Sequence, residues 1–245
     1  MTTKQTKQKQ TKKAQVIKSN LEIKSPYKKG DFGYWWTVER GNTDICGKDF
    51  PGSITVPSYI KSLKGCPEFV QGNFNCIYCG NLKDLTGSPV FVKGNYSVSF
   101  CALKSLKGAP VTVGGDFICK RGNYLKNFKG GPVEVGGDFI VSGFDLTSLK
   151  GMPKKVGKNV FIDSADNRLL SFKGVSDYIG GDFVFLSSLK EKNIENYLLD
   201  TLDDIFILVG RLFTQDHRVF YGGCEINKDH PCYSDLDDNY YYDKY

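Results

Sequence analysis

The sequence contains no run of about 18 apolar residues, the length that a transmembrane helix needs. It also lacks an apolar segment near its N-terminus of the type found in secretory signal peptides. Arginine is absent from residues 1–29, which argues against a transit peptide. Together these absences predict a soluble protein, and we expect it in the cytoplasm.

Histidine is scarce, and neither His217 nor His230 has a nucleophile or a carboxylate at a spacing typical of a catalytic site. No glycine-rich phosphate-binding loop precedes a predicted helix, and no pair of carboxylates stands out. The sequence therefore predicts a protein that is not an enzyme, with no catalytic residues and no cofactor.

Two histidines and two cysteines lie close together near the C-terminus, at His217, Cys224, His230 and Cys232. Zinc sites usually combine a pair of closely spaced cysteines with a pair of closely spaced histidines, and this order lacks both pairs. The four residues are therefore not predicted to bind a metal.

Four of the eight cysteines occupy positions at which other parts of the chain have apolar residues. Cys76 and Cys119 share a position with Val, Ile and Phe, and Cys79 and Cys101 share another with Phe144. Thiols that serve as small apolar side chains favour a reducing compartment.

The net charge of +6 is unevenly distributed along the chain. Residues 1–29 contain nine Lys and one Glu, whereas residues 190–245 contain six basic and twelve acidic residues. Residues 1–29 have little to bury and are expected to form a flexible basic arm. Its first lysines, Lys4, Lys7, Lys9, Lys12 and Lys13, could hold nucleic acid without sequence specificity, or could only keep the protein soluble.

A repeat of 21 to 23 residues occupies the middle of the chain. It is clearest at residues 103–117 and 125–139, where two leucines or a Leu/Phe pair precede a Gly-x-Pro turn and a Gly-Gly-Asp-Phe motif. The turn glycines are Gly65, Gly87, Gly108, Gly130, Gly151 and Gly174. Because one such unit cannot bury its own apolar residues, the six units must stack as the coils of a solenoid.

Three apolar positions recur in each coil, followed by a closing pair of large apolar residues. The second and third positions are two residues apart, as in Phe117 and Cys119, which indicates a short strand with both side chains pointing inward. A column of short polar residues precedes these strands: Asn73, Asn95, Asp116, Asp138, Asn159 and Asp182. We expect their side chains to accept hydrogen bonds from N–H groups of the neighbouring coil, with a carbohydrate or metal surface as the alternative.

The segment from Val92 to Pro110 resembles the leucine-rich repeat family, with Tyr96, Val98, Cys101, Leu103 and Leu106 at the pattern positions. Its Leu-x-x-Leu-x-Gly-x-Pro motif is similar to short repeats in proteins of tailed phages and large DNA viruses. The resemblance covers residues 50–186 and implies a leucine-rich-repeat-like solenoid of about six coils with a concave parallel sheet. It also implies a protein-binding role.

The predicted fold class is mostly β with a terminal helix. The domain order is a basic arm (1–29), an N-terminal β cap (30–62), the repeats (63–186), a capping helix (187–213) and an acidic, tyrosine-rich tail (214–245). The strands of the cap are predicted from short alternating runs that contain Trp35 and Trp36. The helix is predicted from apolar residues at steps of three and four between Ile194 and Leu212.

The residues that point outward between the inward strand positions become apolar along the repeats, at Ile118, Ile140, Phe161 and Val184. The solenoid core does not need these side chains, so they either form an exposed contact surface or are covered by the C-terminal segment. Next to them, Tyr78, Phe100, Lys120 and Arg121 make an aromatic and basic cluster typical of interfaces.

The predicted function is a protein-binding module that uses these eight residues, and the resemblance implies a virus-encoded protein that acts on a host factor. The alternatives are nucleic-acid binding through the lysine arm and a structural role in a virion. The oligomeric state is left open.

Overall fold

The computed structural model describes residues 25–121, 124–144, 146–164 and 174–187, together with three short strands at 212–214, 219–221 and 224–226. Within these ranges the chain forms a β-solenoid of about six turns, so the predicted mostly-β repeat architecture is confirmed. Each coil contributes a strand to each of two parallel sheets.

The first sheet has seven strands in the order β1-β3-β5-β7-β9-β11-β13. Its strands are Asp49–Phe50 (β1), Phe69–Val70 (β3), Phe91–Val92 (β5), Thr112–Val113 (β7), Glu134–Val135 (β9), Lys155–Val156 (β11) and Tyr178–Ile179 (β13). The sequence did not predict this sheet as such. Five of its strands, β3 to β11, begin two residues after the proline of a Gly-x-Pro turn, and each of the seven strands is only two residues long.

The second sheet has ten strands, of which seven belong to the solenoid coils. These are Ile54–Thr55 (β2), Phe74–Asn75 (β4), Tyr96–Ser97 (β6), Phe117–Lys120 (β8), Phe139–Phe144 (β10), Val160–Ser164 (β12) and Phe183–Ser187 (β14). Consecutive strands pair in register, so that Tyr96 lies opposite Phe117 and Phe117 opposite Phe139.

The core is built from the apolar positions that recur in each coil and from the closing pairs. Val113, Phe117 and Cys119 of one coil are fully buried, as are the closing residues Leu103 and Leu106 of the same stretch of chain. The aromatic column forms a continuous stack in which the ring centroids of Phe74, Tyr96, Phe117 and Phe139 follow one another at 5.3, 5.7 and 5.3 Å. Each coil therefore packs its apolar residues against those of the neighbouring coils, as the repeat predicts.

The N-terminal end of the core is covered by a short helical segment, α1 (Phe32–Tyr34), that continues into a π-helical turn (Trp35–Glu39). The prediction of strands is wrong for these residues, whereas the predicted run at Ile54 forms strand β2. Phe32 is fully buried and stacks on Trp36, and its ring meets that of Trp35 edge to face. Aromatic residues at positions i, i+3 and i+4 are the spacing of a helix face, which explains why this segment is helical.

At the other end, β14 pairs in parallel with Leu212–Thr214 (β15), which continues antiparallel into Val219–Tyr221 (β16) and Cys224–Ile226 (β17). Residues 212 and 213 were assigned to the capping helix and are in a strand instead. Ser187, where that helix is predicted to begin, is the last residue of β14 instead, and residues 188–211 lie outside the described residues. Part of the predicted tail thus extends the ten-stranded sheet.

Candidate functional site

Four successive coils have one residue with left-handed backbone near the end of the strand of the ten-stranded sheet. In the first three coils this residue forms a turn after the strand, and in the fourth it lies within β10, where the strand pairing is irregular. The residues at this position are Tyr78 (φ 62°), Phe100 (φ 55°), Arg121 (φ 46°) and Gly143 (φ 81°). The turns are stacked by hydrogen bonds between coils, since the N–H of Phe100 donates to the carbonyls of Lys120 (2.8 Å) and Arg121 (3.0 Å). Only glycine adopts this conformation without a steric cost, so three coils hold large side chains here at a cost of about 1–2 kcal/mol each.

The two aromatic side chains of this column form an exposed pair. The rings of Tyr78 and Phe100 stack with centroids 4.8 Å apart and an interplanar angle of 24°. Tyr78 remains 64% exposed and Phe100 39% exposed, and Ile77 beside them is also exposed. The predicted aromatic cluster therefore exists as a surface feature, and we call it the aromatic turn pair.

The basic residues of the cluster lie in the coil that follows. Arg121 is exposed and Lys120 is half-buried. Burial lowers the pKa of Lys120, and the neighbouring Arg121 lowers it further. Asp163, two strands further along, is also half-buried; burial raises the pKa of its carboxyl, whereas Arg121 acts in the opposite direction. The charge of Arg121 therefore lowers the pKa of both Lys120 and Asp163 at this edge of the sheet.

The outward-pointing apolar residues of successive strands do line up across the sheet, but most of them are buried. Ile118, Ile140, Phe161 and Val184 lie opposite one another in β8, β10, β12 and β14. Ile118 is half-buried, whereas Ile140, Phe161 and Val184 are only 4%, 8% and 2% exposed. The expectation of an exposed patch is therefore wrong for these three residues, and the alternative that this face is covered agrees with their burial. They are buried outside the main core cluster, on the opposite face of the strands.

The polar column forms the predicted ladder of hydrogen bonds between coils. In the first five of the six residues, the side-chain oxygen accepts a bond from the backbone N–H of the counterpart in the next coil. The distance is 2.8 Å from Asn95 to Asn73 and 2.9 Å from Asn159 to Asp138. The prediction that these side chains satisfy neighbouring N–H groups is confirmed. These residues are therefore part of the scaffold.

A buried cysteine cluster lies behind the aromatic turn pair, and sequence reasoning missed it. Cys76 and Cys79 flank Tyr78, and Cys101 occupies the position of Cys79 one coil later. Their three sulfur atoms lie within 4.8 Å of one another, with 3.0 Å between those of Cys76 and Cys79. The signal was a Cys-x-x-Cys motif with a third cysteine one repeat further on.

The thiols of this cluster interact through hydrogen bonds. Hydrogen bonds from Cys76 and Cys79 lower the pKa of Cys101, and the bond with Cys101 is the main cause that raises the pKa of Cys79. While protonated, Cys101 donates to the carbonyl of Cys76 at 3.3 Å. A zinc site usually has four ligands, and among the described residues this cluster offers three.

The remaining candidate residues fall elsewhere. Lys4, Lys7, Lys9, Lys12 and Lys13 lie outside the described residues, as do His217, His230 and Cys232, and of Cys224 only the strand backbone is described. Among the described residues, no helix is long and apolar enough to cross a membrane.

Comparison of the chain with protein-family models, with curated proteins and with solved structures found no match.

Proposed function

We propose that the solenoid is a binding module that engages a protein partner through the aromatic turn pair and the basic residues beside it. The observation that carries this proposal is the exposure of two stacked aromatic rings, Tyr78 and Phe100, on backbone of left-handed conformation. The fold does not require aromatic side chains at this position, because the equivalent residues in the next two coils are Arg121 and Gly143.

Aromatic and arginine side chains are the residues that most often dominate the binding energy of protein interfaces. Rings that are already stacked lose little conformational freedom when a partner covers them. Arg121 is exposed at the next turn and adds a planar donor group that suits a carboxylate. The surface therefore combines an apolar centre with charge at its margin, which is the usual arrangement of such interfaces.

The proposed surface is smaller than the one predicted from the sequence. It keeps Tyr78, Phe100, Lys120 and Arg121, with Ile118 at its inner margin. Ile140, Phe161 and Val184 are left out because they are buried. The resemblance to viral repeats favours a host protein as the partner.

The test uses a photo-crosslinking amino acid at position 78 of the full chain, in cells that produce the protein. Position 178 is the matched control, because Tyr178 is 51% exposed and lies in β13 of the seven-stranded sheet. We expect a defined adduct from position 78 and none from position 178. The same adducts from both positions, or none from position 78, would contradict the proposal.

A second variant separates binding from folding. Replacing Tyr78 and Phe100 with glycine, the residue found at Gly143, removes both rings and relieves the left-handed strain. We expect the thermal midpoint to stay the same or rise, while capture of the crosslinked partner falls at least tenfold. A large drop in the thermal midpoint would show instead that the ring pair has a structural role.

A further inference from the structure

A second surface, independent of the aromatic turn pair, carries a concentration of positive charge. It lies at the corner where each coil passes from its closing pair to its turn glycine. Five of these corners, at residues 60–65, 82–87, 103–108, 125–130 and 146–151, contain eight Lys and one acidic residue, Asp84. The lysines form two rows, Lys61, Lys83, Lys104 and Lys126 in the first and Lys64, Lys107, Lys129 and Lys150 in the second. All eight are exposed, and we call this surface the lysine edge.

Hydrogen bonds between coils hold the two rows in line. The N–H of Lys104 donates to the carbonyl of Lys83 at 2.8 Å, so consecutive members of the first row are direct neighbours. In the second row the carbonyl of Lys107 accepts from Leu85, and that of Lys150 accepts from Phe128. Neighbouring strands in a sheet are about 4.8 Å apart, so the five corners place their lysines along about 19 Å.

The fold does not need lysine at these positions. Thr147 takes the place of the lysine in the first row and Thr86 in the second, without any break in the coil. The corner is held instead by its buried apolar residues and by a short polar side chain, as where Ser105 accepts a hydrogen bond from the N–H of Lys107 at 3.0 Å. Like charges on directly adjacent strands destabilise a fold, so the rows exist at a cost to stability.

The surface beside this edge is less uniform in charge. At the start of the seven-stranded sheet, the outward residues that follow the turn prolines are mixed, with Glu68, Lys154 and Asp177 beside exposed valines such as Val111. A requirement for solubility alone would not separate the signs in this way, because acidic residues serve it at least as well as lysine.

We propose that the lysine edge binds the phosphate backbone of nucleic acid without reading its sequence. Lysine supplies point charges rather than the planar donor pairs that recognise bases, so contacts to phosphates are expected. Phosphates on one strand of a duplex follow one another at about 3.4 Å along the axis, so about 19 Å of edge faces five or six of them. The edge belongs to the rigid coils and is distinct from the N-terminal arm.

The experiment measures binding of a short fluorescent DNA duplex to the full chain by anisotropy, over a salt series from about 50 to about 200 mM. The edge variant carries Lys104→Gln, Lys107→Gln, Lys126→Gln and Lys129→Gln. We expect at least a tenfold loss of affinity at low salt. If all four lysines contact phosphates, the slope of log K against log salt should fall by about 3.6 in magnitude, since each contact contributes about 0.9.

The matched control changes the net charge by the same amount elsewhere on the coils, with Lys93→Gln, Lys154→Gln, Lys155→Gln and Lys158→Gln. These four lysines are also exposed but lie outside the corners. We expect affinity within about threefold of the wild type, since only the general charge has changed. Equal losses in the edge and control variants would overturn the proposal.

Two further measurements distinguish the lysine edge from the basic arm and from a membrane-binding surface. Deletion of residues 1–20 tests the basic arm, and loss of all binding in that variant with no loss in the edge variant would overturn the proposal. Vesicles of anionic lipid test a membrane surface, and edge-dependent binding to vesicles without binding to DNA or RNA would also overturn it. The thermal midpoint of each variant establishes that it is folded.

Discussion

The side-chain oxygen of Asn95 accepts a hydrogen bond from the backbone N–H of Asp116, which lies 2.9 Å away in the next coil. Asp116 in turn accepts from the N–H of Asp138 at 2.8 Å, so the ladder passes through successive coils. The N–H groups that it satisfies are part-buried, and they stand at the start of strands, where the sheet does not pair them. These polar side chains therefore connect the coils through hydrogen bonds as the apolar columns connect them through packing.

Replacement of Asn95 by alanine should destabilise the solenoid by about 1–2 kcal/mol, because the N–H of Asp116 loses its partner in a part-buried position. Asn95→Asp keeps an oxygen acceptor, the arrangement found at Asp116, and should cost much less. Urea denaturation of both variants measures the difference. Equal losses in the two variants would mean that the acceptor is not what matters at this position.

All six coils have a glycine at the turn that follows the closing pair. Gly108 has a φ of 86°, and a Cβ there would lie 2.6 Å from the backbone carbonyl carbon and oxygen of Leu85 in the preceding coil. Gly108→Ala should therefore cost about 2 kcal/mol or more, from overlap with backbone and from left-handed strain.

Gly80→Ala is the control for this substitution, since nothing lies within 4 Å of a Cβ at that position. Its free energy of unfolding should stay close to that of the wild type. Thermal or urea unfolding compares the two variants, and equal tolerance of Gly108→Ala and Gly80→Ala would contradict the predicted overlap at Gly108.

The repeat made most of the scaffold predictable, because each column has one chemical character. The position of Phe117 is apolar in every coil, which predicts that it faces the core. The position of Asp116 has a short polar residue in every coil, which predicts a hydrogen bond to the next coil. The helix at Phe32–Tyr34 was missed although Phe32, Trp35 and Trp36 have helical spacing, because the intervening residues also fit short alternating strands.

The surface was less predictable, because exposure depends on parts of the chain that are distant in sequence. The pattern at Ile140, Phe161 and Val184 is the same whether this face is open or covered. The cysteine cluster was missed because each cysteine was compared only with the residues at the same repeat position in other coils. Cys76 belongs to one column and Cys79 and Cys101 to another, and only the turn at Tyr78 brings the three together.

The cysteine cluster should resist modification in the folded protein. Cys46 is exposed, whereas Cys66, Cys76, Cys79, Cys101 and Cys119 are buried. In a background in which Cys224 and Cys232 are replaced by serine, a soluble thiol reagent should label one cysteine in the native state and all six after unfolding, since buried thiols are inert.

Peptide mass spectrometry identifies the labelled residue, and we expect Cys46. Labelling of Cys101 as fast as that of Cys46 would contradict the buried cluster, because its lowered pKa would then belong to an accessible thiolate. A mass two units lower than expected for reduced Cys76 and Cys79 would show that these two thiols are joined as a disulfide instead.

Asp163 should make the stability of the protein depend on pH in the direction opposite to an ordinary ion pair. Burial raises the pKa of its carboxyl above the value of the unfolded chain, with Arg121 acting against that shift. A group of this kind contributes stability that is fully present below the unfolded pKa and is lost as the pH rises through the folded pKa. Asp163→Asn should therefore raise the free energy of unfolding at neutral pH.

The gain from Asp163→Asn should disappear below about pH 3.9, where the wild-type carboxyl is protonated in both states. Glu134→Gln, which removes one negative charge at an exposed position of the coils, is the charge-matched control. Arg121→Gly removes the opposing charge, so it should enlarge the gain from Asp163→Asn at neutral pH. Urea denaturation at several pH values measures the three single variants and the double variant Asp163→Asn with Arg121→Gly. A loss of stability in Asp163→Asn at neutral pH would show instead that the charged carboxyl has a stabilising partner.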